Sequence, residues 1–509
     1  MKTTPTHYLP ALLMSLVFYF LFRNETPGIN VLIFLLLSAV SLAILQRGIF
    51  RLTVVKVTFI TTLLLSVLLL VFNTDISIIS CWLLFAMMVG FIHQYRLRSA
   101  GSALLTAAMG LLLSPLSWWE AIKTTGHSSL RISKMLKYIQ LSFIPLFVLL
   151  VFFGLYSFAD PEFSFVSNQL LDKVSLMLEH FFTYVSPDSI AFFILSLAVT
   201  ASIFFNRDIQ LIVKRELLQS DFLQRKRKKV SLEAGIEWWQ LFFRKSLLSL
   251  KNEYQRGIIL LALVNALLLF VNAVDIKMVW FENTIVTSPS SRSQAVHEST
   301  YLLLFSIAIA MAILLFFFRG NINFLRNNKR LLHLSYLWIA QNALLAFTAG
   351  IRNYYYIRDY GLAYKRIGVI FFLLLTLFSL LILFLKIRDK RSFFYFYRME
   401  GWAICGLLLL MSCFNWDPMI ASYNLSHFDN QHLDRKFLMT LSHRALPVLI
   451  SHEERFPEIT DPIDLNLSPF QNWMKLKSES FITSYESTSW PSWNYADDRV
   501  YHFLKEHRF

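Results

Sequence analysis

The sequence predicts an all-α, polytopic membrane protein with about 11 transmembrane helices and a small helical extramembrane region at its C-terminal end. Three observations carry that expectation. Hydrophobic residues make up 56% of the 509 and charged residues 16%, where a soluble domain carries about 25% charged residues; the mean hydropathy is +0.51. Apolar residues come in long runs such as Val54 to Phe72 and Ile367 to Leu385. Each is about 19 residues, enough to cross roughly 30 Å of hydrocarbon, and neither has the polar face of a buried soluble helix. The net charge of +15 sits in short loops between these runs. That is the pattern of basic cytoplasmic loops, and it argues against a nucleic-acid partner.

Taken in order, the expected spans are 8–22, 29–45, 53–72, 76–92, 138–158, 188–205, 258–280, 300–318, 332–350, 367–385 and 401–414. Met1 to Phe22 has no small-x-small cleavage site before Arg23, so it reads as an uncleaved first span. Arg47 and Arg51, Arg96 and Arg98, the run 225–229, Arg326 to Arg330, and Lys386 to Arg391 all fall on one side of such a bundle. That side is expected to be cytoplasmic, with the N-terminus on it and the C-terminus extracytoplasmic, in a bacterial inner membrane. The chain then divides into an N-terminal membrane region (1–137), two spans with a basic loop (138–257), five further spans (258–414) and the C-terminal region (415–509). Small residues across 99–118 suit a re-entrant or packed interfacial segment. Trp118-Trp119 and Trp238-Trp239 suit helices lying in the interface. In the tail, Leu433 to Ser451 has helical apolar spacing, Ser478 to Trp493 reads as loop, and Asp497-Asp498 as a solvated turn.

Chemistry is sparser. Cys81, Cys405 and Cys413 lie in apolar runs and read as buried thiols. His427, His432 and His443 are spaced poorly for a metal, and neither a metal nor a cofactor is expected. The segment Arg352 to Arg366 breaks the charge pattern, with Arg352, Arg358, Lys365 and Arg366 against Asp359 and with Tyr354, Tyr355, Tyr356, Tyr360 and Tyr364 among them. Guanidinium forks and phenol hydroxyls suit a phosphate, carboxylate or sugar-phosphate ligand. The plainer alternative is an interfacial turn, with tyrosines in the aromatic belt, arginines reaching head groups, and Gly361 permitting a sharp bend.

A second stretch, Asn415 to Asn424, follows the last span. Asp417 before Pro418 suits a helix start; the functional alternative pairs Asp417 with Arg352 or Arg366 across the outer face. In the seventh span Asn265, Asn272 and Asp275 share a helix face, with Gln341 and Asn342 of the ninth span as expected partners. Intramembrane polar groups point either to function or to helix–helix hydrogen bonding.

Arg352, Tyr356, Tyr360-Gly361-Leu362 and Arg366, then Asn415, Asp417, Ile420-Ala421 and Asn424, and then Leu433-Asp434, Leu441-Ser442, Ala445 and Pro447 resemble the motifs of a bacterial membrane family called domain of unknown function 4153/4173. The resemblance covers residues 255–450. Ala363 stands where that family often has Thr, and Arg444 where it often has Asp. The family has no established activity, so the resemblance implies a class and not a chemistry. Three functions compete: an envelope binding or assembly protein with an outward basic-aromatic site, a membrane enzyme acting on a lipid-linked (sugar-)phosphate, and a secondary transporter. Expected partners are the lipid bilayer, an anionic lipid or sugar-phosphate, and other envelope proteins.

Overall fold

The computed structural model describes residues 7–124 except 47, 186–205, 210–225, 250–277, 289–429, 432–456 and 470–507, with isolated residues between 142 and 173. The run 225–229 and Trp238-Trp239 lie wholly or largely outside these residues; of the expected span 138–158 only part is described, as helix over most of 145–158. Among the described residues the fold is all-helical, without a β-strand. The N-terminal half contains α1 (Tyr8–Phe22), α2 (Ile29–Leu45), α3 (Thr53–Phe72), α4 (Asp75–His93), α5 (Ala100–Leu112), α6 (Ser114–Thr124), α7 (Pro187–Phe204) and α8 (Gln210–Leu217). A second group follows: α9 (Leu250–Ile276), α10 (Pro289–Phe317), α11 (Lys329–Tyr360), α12 (Tyr364–Arg388) and α13 (Phe393–Ser412). The C-terminal region folds as α14 (Trp416–His427), α15 (Arg435–Thr440), α16 (Leu446–Ile450), α17 (Phe470–Glu486) and α18 (Tyr495–Glu506).

Helices α3, α4, α7, α9, α11, α12 and α13 are long and apolar enough to cross a membrane, which makes the chain a multi-pass helical membrane protein. Among the described residues, length and composition qualify seven helices, or eight if the bent α5–α6 pair is one span; α1, α2, the apolar stretch Leu302–Phe317 of α10 and Pro145–Phe158 are each shorter than 18 residues. Local chemistry sets several boundaries. The side chains of Thr74, Ser99, Ser186 and Ser392 accept the N–H groups three residues on and so cap α4, α5, α7 and α13. Inside the spans, Thr58, Thr62 and Ser66 donate back to carbonyls of their own helix, which satisfies the hydroxyls without a partner helix. Cys81 and Cys405 are buried as expected, but Cys413, in the last turn before α14, is exposed.

The helix ends sort into two faces. On one, Glu216 of α8 accepts the N–H groups of Arg98 and Ser99, at 2.5 and 3.0 Å, and so caps the start of α5. Asp221 pairs there with Arg398 at 3.0 Å, and Leu223 N–H donates to the Lys390 carbonyl. The buried Lys386 ammonium donates to the Phe318 carbonyl at 3.0 Å, closing the end of α10. This face therefore gathers the basic loops. Trp118 of α6 donates to the Leu197 carbonyl and packs on Phe205, while Ser202 donates to the Ala107 carbonyl of α5. Both arms of the α5–α6 pair, bent by 62°, thus meet the last two turns of α7, as a segment turning back at one face would.

On the other face, the turns after α1, α3, α11 and α13 meet the C-terminal helices. Gly28 approaches so closely that a Cβ would lie 2.6 Å from the Ser492 and Trp493 carbonyls. Ile29 N–H donates to the Trp493 carbonyl at 2.9 Å, and Ser492 to Glu25 at 2.6 Å. The C-terminal region has its own apolar core, with Ile420, Leu438, Leu446, Leu449, Met474 and Leu504 fully buried. Two readings of this region are corrected. Ser478 to Trp493 is half helix, because Phe470, Trp473, Met474 and Phe481 place an apolar stripe on α17. Leu433 to Ser451 is broken into short helices, because the Ser442 side chain caps a new turn there and Pro447 starts α16.

Candidate functional site

Gly361 makes the turn between α11 and α12. Its φ of +84° is open to glycine and strained for other residues. A Cβ there would also lie 2.5 Å from Asn424 Oδ1. Asn424 joins α14 to the turn: its Oδ1 accepts the Leu362 N–H at 2.6 Å, and its Nδ2 donates to the Leu362 carbonyl at 2.9 Å. One side-chain amide thereby satisfies both polar groups of a buried backbone unit. Arg366 folds back over the same turn. Its Nη1 donates to the carbonyls of Tyr360, at 2.7 Å, and Gly361, which a helix C-terminus leaves unpaired and electronegative. Its guanidinium lies 4.3 Å from the Tyr356 ring centroid, and Tyr356 packs on Tyr360 at 4.7 Å. Asn353 donates to the Arg366 carbonyl at 3.0 Å. Arg358 points outward, paired with its neighbour Asp359 at 2.8 Å.

Asp417 pairs with neither Arg352 nor Arg366, contrary to one sequence expectation. It accepts the Tyr364 hydroxyl, the Ser442 N–H at 3.2 Å and the Ser442 hydroxyl at 2.8 Å. Asn415 occupies the N-cap position of α14 without a side-chain cap bond, so the Asp417 carboxylate is turned to the 442 corner and not to its own helix. Tyr364, Asp417 and Ser442 therefore clasp α12, α14 and the 442 corner together. The cavity beside the turn holds about 100 Å³, well below the roughly 300–1,000 Å³ of small-molecule sites.

Arg352 instead meets Asp275. Helices α9 and α11 run parallel, and polar groups meet along their contact. Asn265 donates to the Leu334 carbonyl at 3.0 Å, Gln341 to Asn265 Oδ1 at 3.2 Å, and Asn272 to the Gln341 carbonyl at 3.2 Å. Asn342 is not part of this seam; it donates to Trp338 of its own helix at 2.8 Å. Helix–helix hydrogen bonding accounts for these residues.

The open space lies elsewhere. A cavity of about 390 Å³ opens between α17, the start of α18 and the α1–α2 turn, lined by Thr26, His443, Lys477, Ser480, Ser484 and Asp497 among others. Lys477 donates to the Met439 carbonyl at 3.4 Å and to that of Leu441, leaving one of its three N–H donors. Burial lowers the pKa of this ammonium, and the charge of Asp417 opposes the shift. His443 stacks on Phe481 with centroids 4.3 Å apart, its Nε2 2.7 Å from Asp497 Oδ1; Arg444 donates to the same oxygen at 3.1 Å. Burial alone would raise the Asp497 carboxyl. The His443 hydrogen bond and the Arg444 charge outweigh it and hold the group well below the usual carboxylate range. Asp497 and Asp498 are thus the opposite of a solvated turn: they lie in the first turn of α18, and Asp498 accepts from Tyr485 and Trp493.

The family model described as domain of unknown function (DUF4153) matches residues 32–452, most of the chain. The chain belongs to this family. No curated protein and no solved structure shows a match to it. The DUF4153 range begins well before the stretch whose motifs resembled the family, and so takes in most of the N-terminal bundle. Every group of the turn and its clasp lies inside it: Tyr356, Gly361, Tyr364, Arg366, Asp417, Asn424 and Ser442. Lys477, Ser480, Ser484 and Asp497 lie beyond its end. Lys477, Ser480 and Ser484 escaped notice in the sequence because Ser, Thr and single charges in a polar tail form no spacing pattern, and Asp497 was read as part of a solvated turn. The available signal was Arg444, which takes Asp497 as its counter-ion.

Proposed function

We propose that the protein is a binding protein of the bacterial inner membrane, with eleven spans, a cytoplasmic N-terminus, and an extracytoplasmic helical domain that holds a polyhydroxylated or sugar-phosphate ligand against the membrane surface. The observation that carries this reading is the cavity of about 390 Å³ beneath α17, within the roughly 300–1,000 Å³ of small-molecule sites. Hydroxyls of Thr26, Ser480 and Ser484 offer paired donors and acceptors, and the remaining Lys477 N–H offers a charge-assisted contact to a phosphate. The topology rests on ten apolar helices among the described residues (α1–α4, α7 and α9–α13), whose directions alternate consistently between the two faces, together with the hydropathy of 138–158. The concentration of basic loops on the face opposite the domain supports the orientation.

A thermal-unfolding series on the intact protein in detergent, with glucose 1-phosphate and glucose as probes, tests the reading. Saturable stabilisation by glucose 1-phosphate, lost in Ser484→Trp and weakened in Lys477→Gln, is expected. Stabilisation that persists unchanged in both variants, or none with either probe, rejects it. A second reading, an enzyme acting on a lipid-linked sugar phosphate, is favoured by the His443–Asp497 pair on the cavity wall, since a carboxylate that orients an imidazole is a common acid–base arrangement. Binding that survives His443→Gln without any turnover in the native protein favours the first reading over the second.

A further inference from the structure

We propose that the furrow between α10 and α12 is a binding site for one anionic diacyl phospholipid, with an acyl chain lying along the furrow and the phosphate held at Lys365. The furrow measures about 450 Å³ and is lined by Leu304, Phe305 and Ala308 of α10 and by Lys365, Gly368, Val369 and Phe372 of α12. The α12 residues recur at helical spacing and form one strip from Lys365 to Phe372, which is about 10 Å at ~1.5 Å per residue. Gly368 is the floor. A glycine inside a span ordinarily marks the close approach of another helix. Here a Cβ would meet no atom within 4 Å, so the missing side chain leaves open space instead of a contact. Phe305 and Phe372, 64% and 48% exposed, form its rims.

The charge is at one end. Lys365 is the charged group of the lining, and it sits on the first turn of α12, where the helix dipole adds to its attraction for an anion. Its neighbours Arg352 and Arg366 are held by Asp275 and by the turn carbonyls; among the described residues, no ion pair involves Lys365. An apolar trough ending in a cation at the helix terminus, level with the head groups, matches a phospholipid with its phosphate at the interface and its chain inward. A soluble anion would leave the trough empty, and a neutral lipid would leave the lysine unmatched.

The test uses the intact protein in nanodiscs with equal phosphatidylglycerol and phosphatidylcholine, extracted and examined by native mass spectrometry for retained lipid. One retained phosphatidylglycerol is expected. Lys365→Gln, an exposed change that leaves folding intact, should cut the preference for phosphatidylglycerol about 5-fold, one surface cation contributing about 1 kcal/mol. Gly368→Phe, which fills the floor, should remove the retained lipid whatever its head group. Equal retention of both lipids by the native protein would mean annular lipid only and would overturn the proposal, as would retention unchanged in Lys365→Gln.

Discussion

Two sites on one face of the molecule contrast sharply. The α11–α12 turn holds the most conspicuous residues of the sequence, and Arg352, Arg366, Asp417 and Asn424 are spent on neighbouring protein groups. The cavity under α17 holds ordinary residues, yet it has space and unused donors. Arg366 and Asn424 satisfy the carbonyls and buried amide groups of the turn, and Asp417 two part-buried hydroxyls, each at a deficit of up to about 1–3 kcal/mol when left unpaired. A motif of Arg, Tyr, Gly, Asn and Asp therefore behaves here as a joint between the membrane bundle and the C-terminal region, while the larger open space lies where no motif points.

The contrast can be broken most forcefully at Asp417. Asp417→Ala strands the Tyr364 hydroxyl and both Ser442 donors at once, and should destabilise the C-terminal region by about 3 kcal/mol in thermal unfolding. Tyr364→Phe, which removes one donor, should do markedly less. Next, a double-mutant cycle on Arg352 and Asp275 should show a coupling of about 1–3 kcal/mol, while Arg352 with Asp417 should be additive. Gly361→Ala forces a side chain into the left-handed region beside Asn424 and should cost about 1–2 kcal/mol from the backbone alone.

Acidity sharpens the comparison from the other side. The folded carboxyl of Asp497 lies below its unfolded value of about 4, so its contribution is complete above that pH and is lost as the pH falls below it. Melting curves taken from pH 6 downward should show the C-terminal region weakening below about pH 4, and Asp497→Asn should lack part of that slope. The smallest effect is a gain. Ala363 is the N-cap of α12 and makes no cap bond, so Ala363→Thr should add about 1 kcal/mol.

Much of the architecture was legible in the sequence because a span needs only a long apolar run, and α3, α4, α11 and α12 provide one. The seam of Asn265, Asn272, Asp275 and Gln341 was visible too, as polar residues on one helix face have few destinations in lipid. Partner choice was not legible. Asp417 and Arg352 suggest a pair by charge, but α9 brings Asp275 to Arg352 first, and a carboxylate can equally be satisfied by hydroxyls and an N–H. The C-terminal region was hardest to read. Its α17 carries Ser and Thr among its aromatics, and the partners of Asp497 come from a corner more than 50 residues upstream.

The most direct test is hydrogen exchange on the intact protein, comparing Asp417→Ala and Ser484→Trp with the native chain. If the motif is a joint and the cavity a site, Asp417→Ala accelerates exchange across Trp416–His427 and at Leu362, while Ser484→Trp leaves those amides protected and abolishes the stabilisation by glucose 1-phosphate. Native-like protection in Asp417→Ala, together with loss of that stabilisation, would contradict it and return the ligand to the motif.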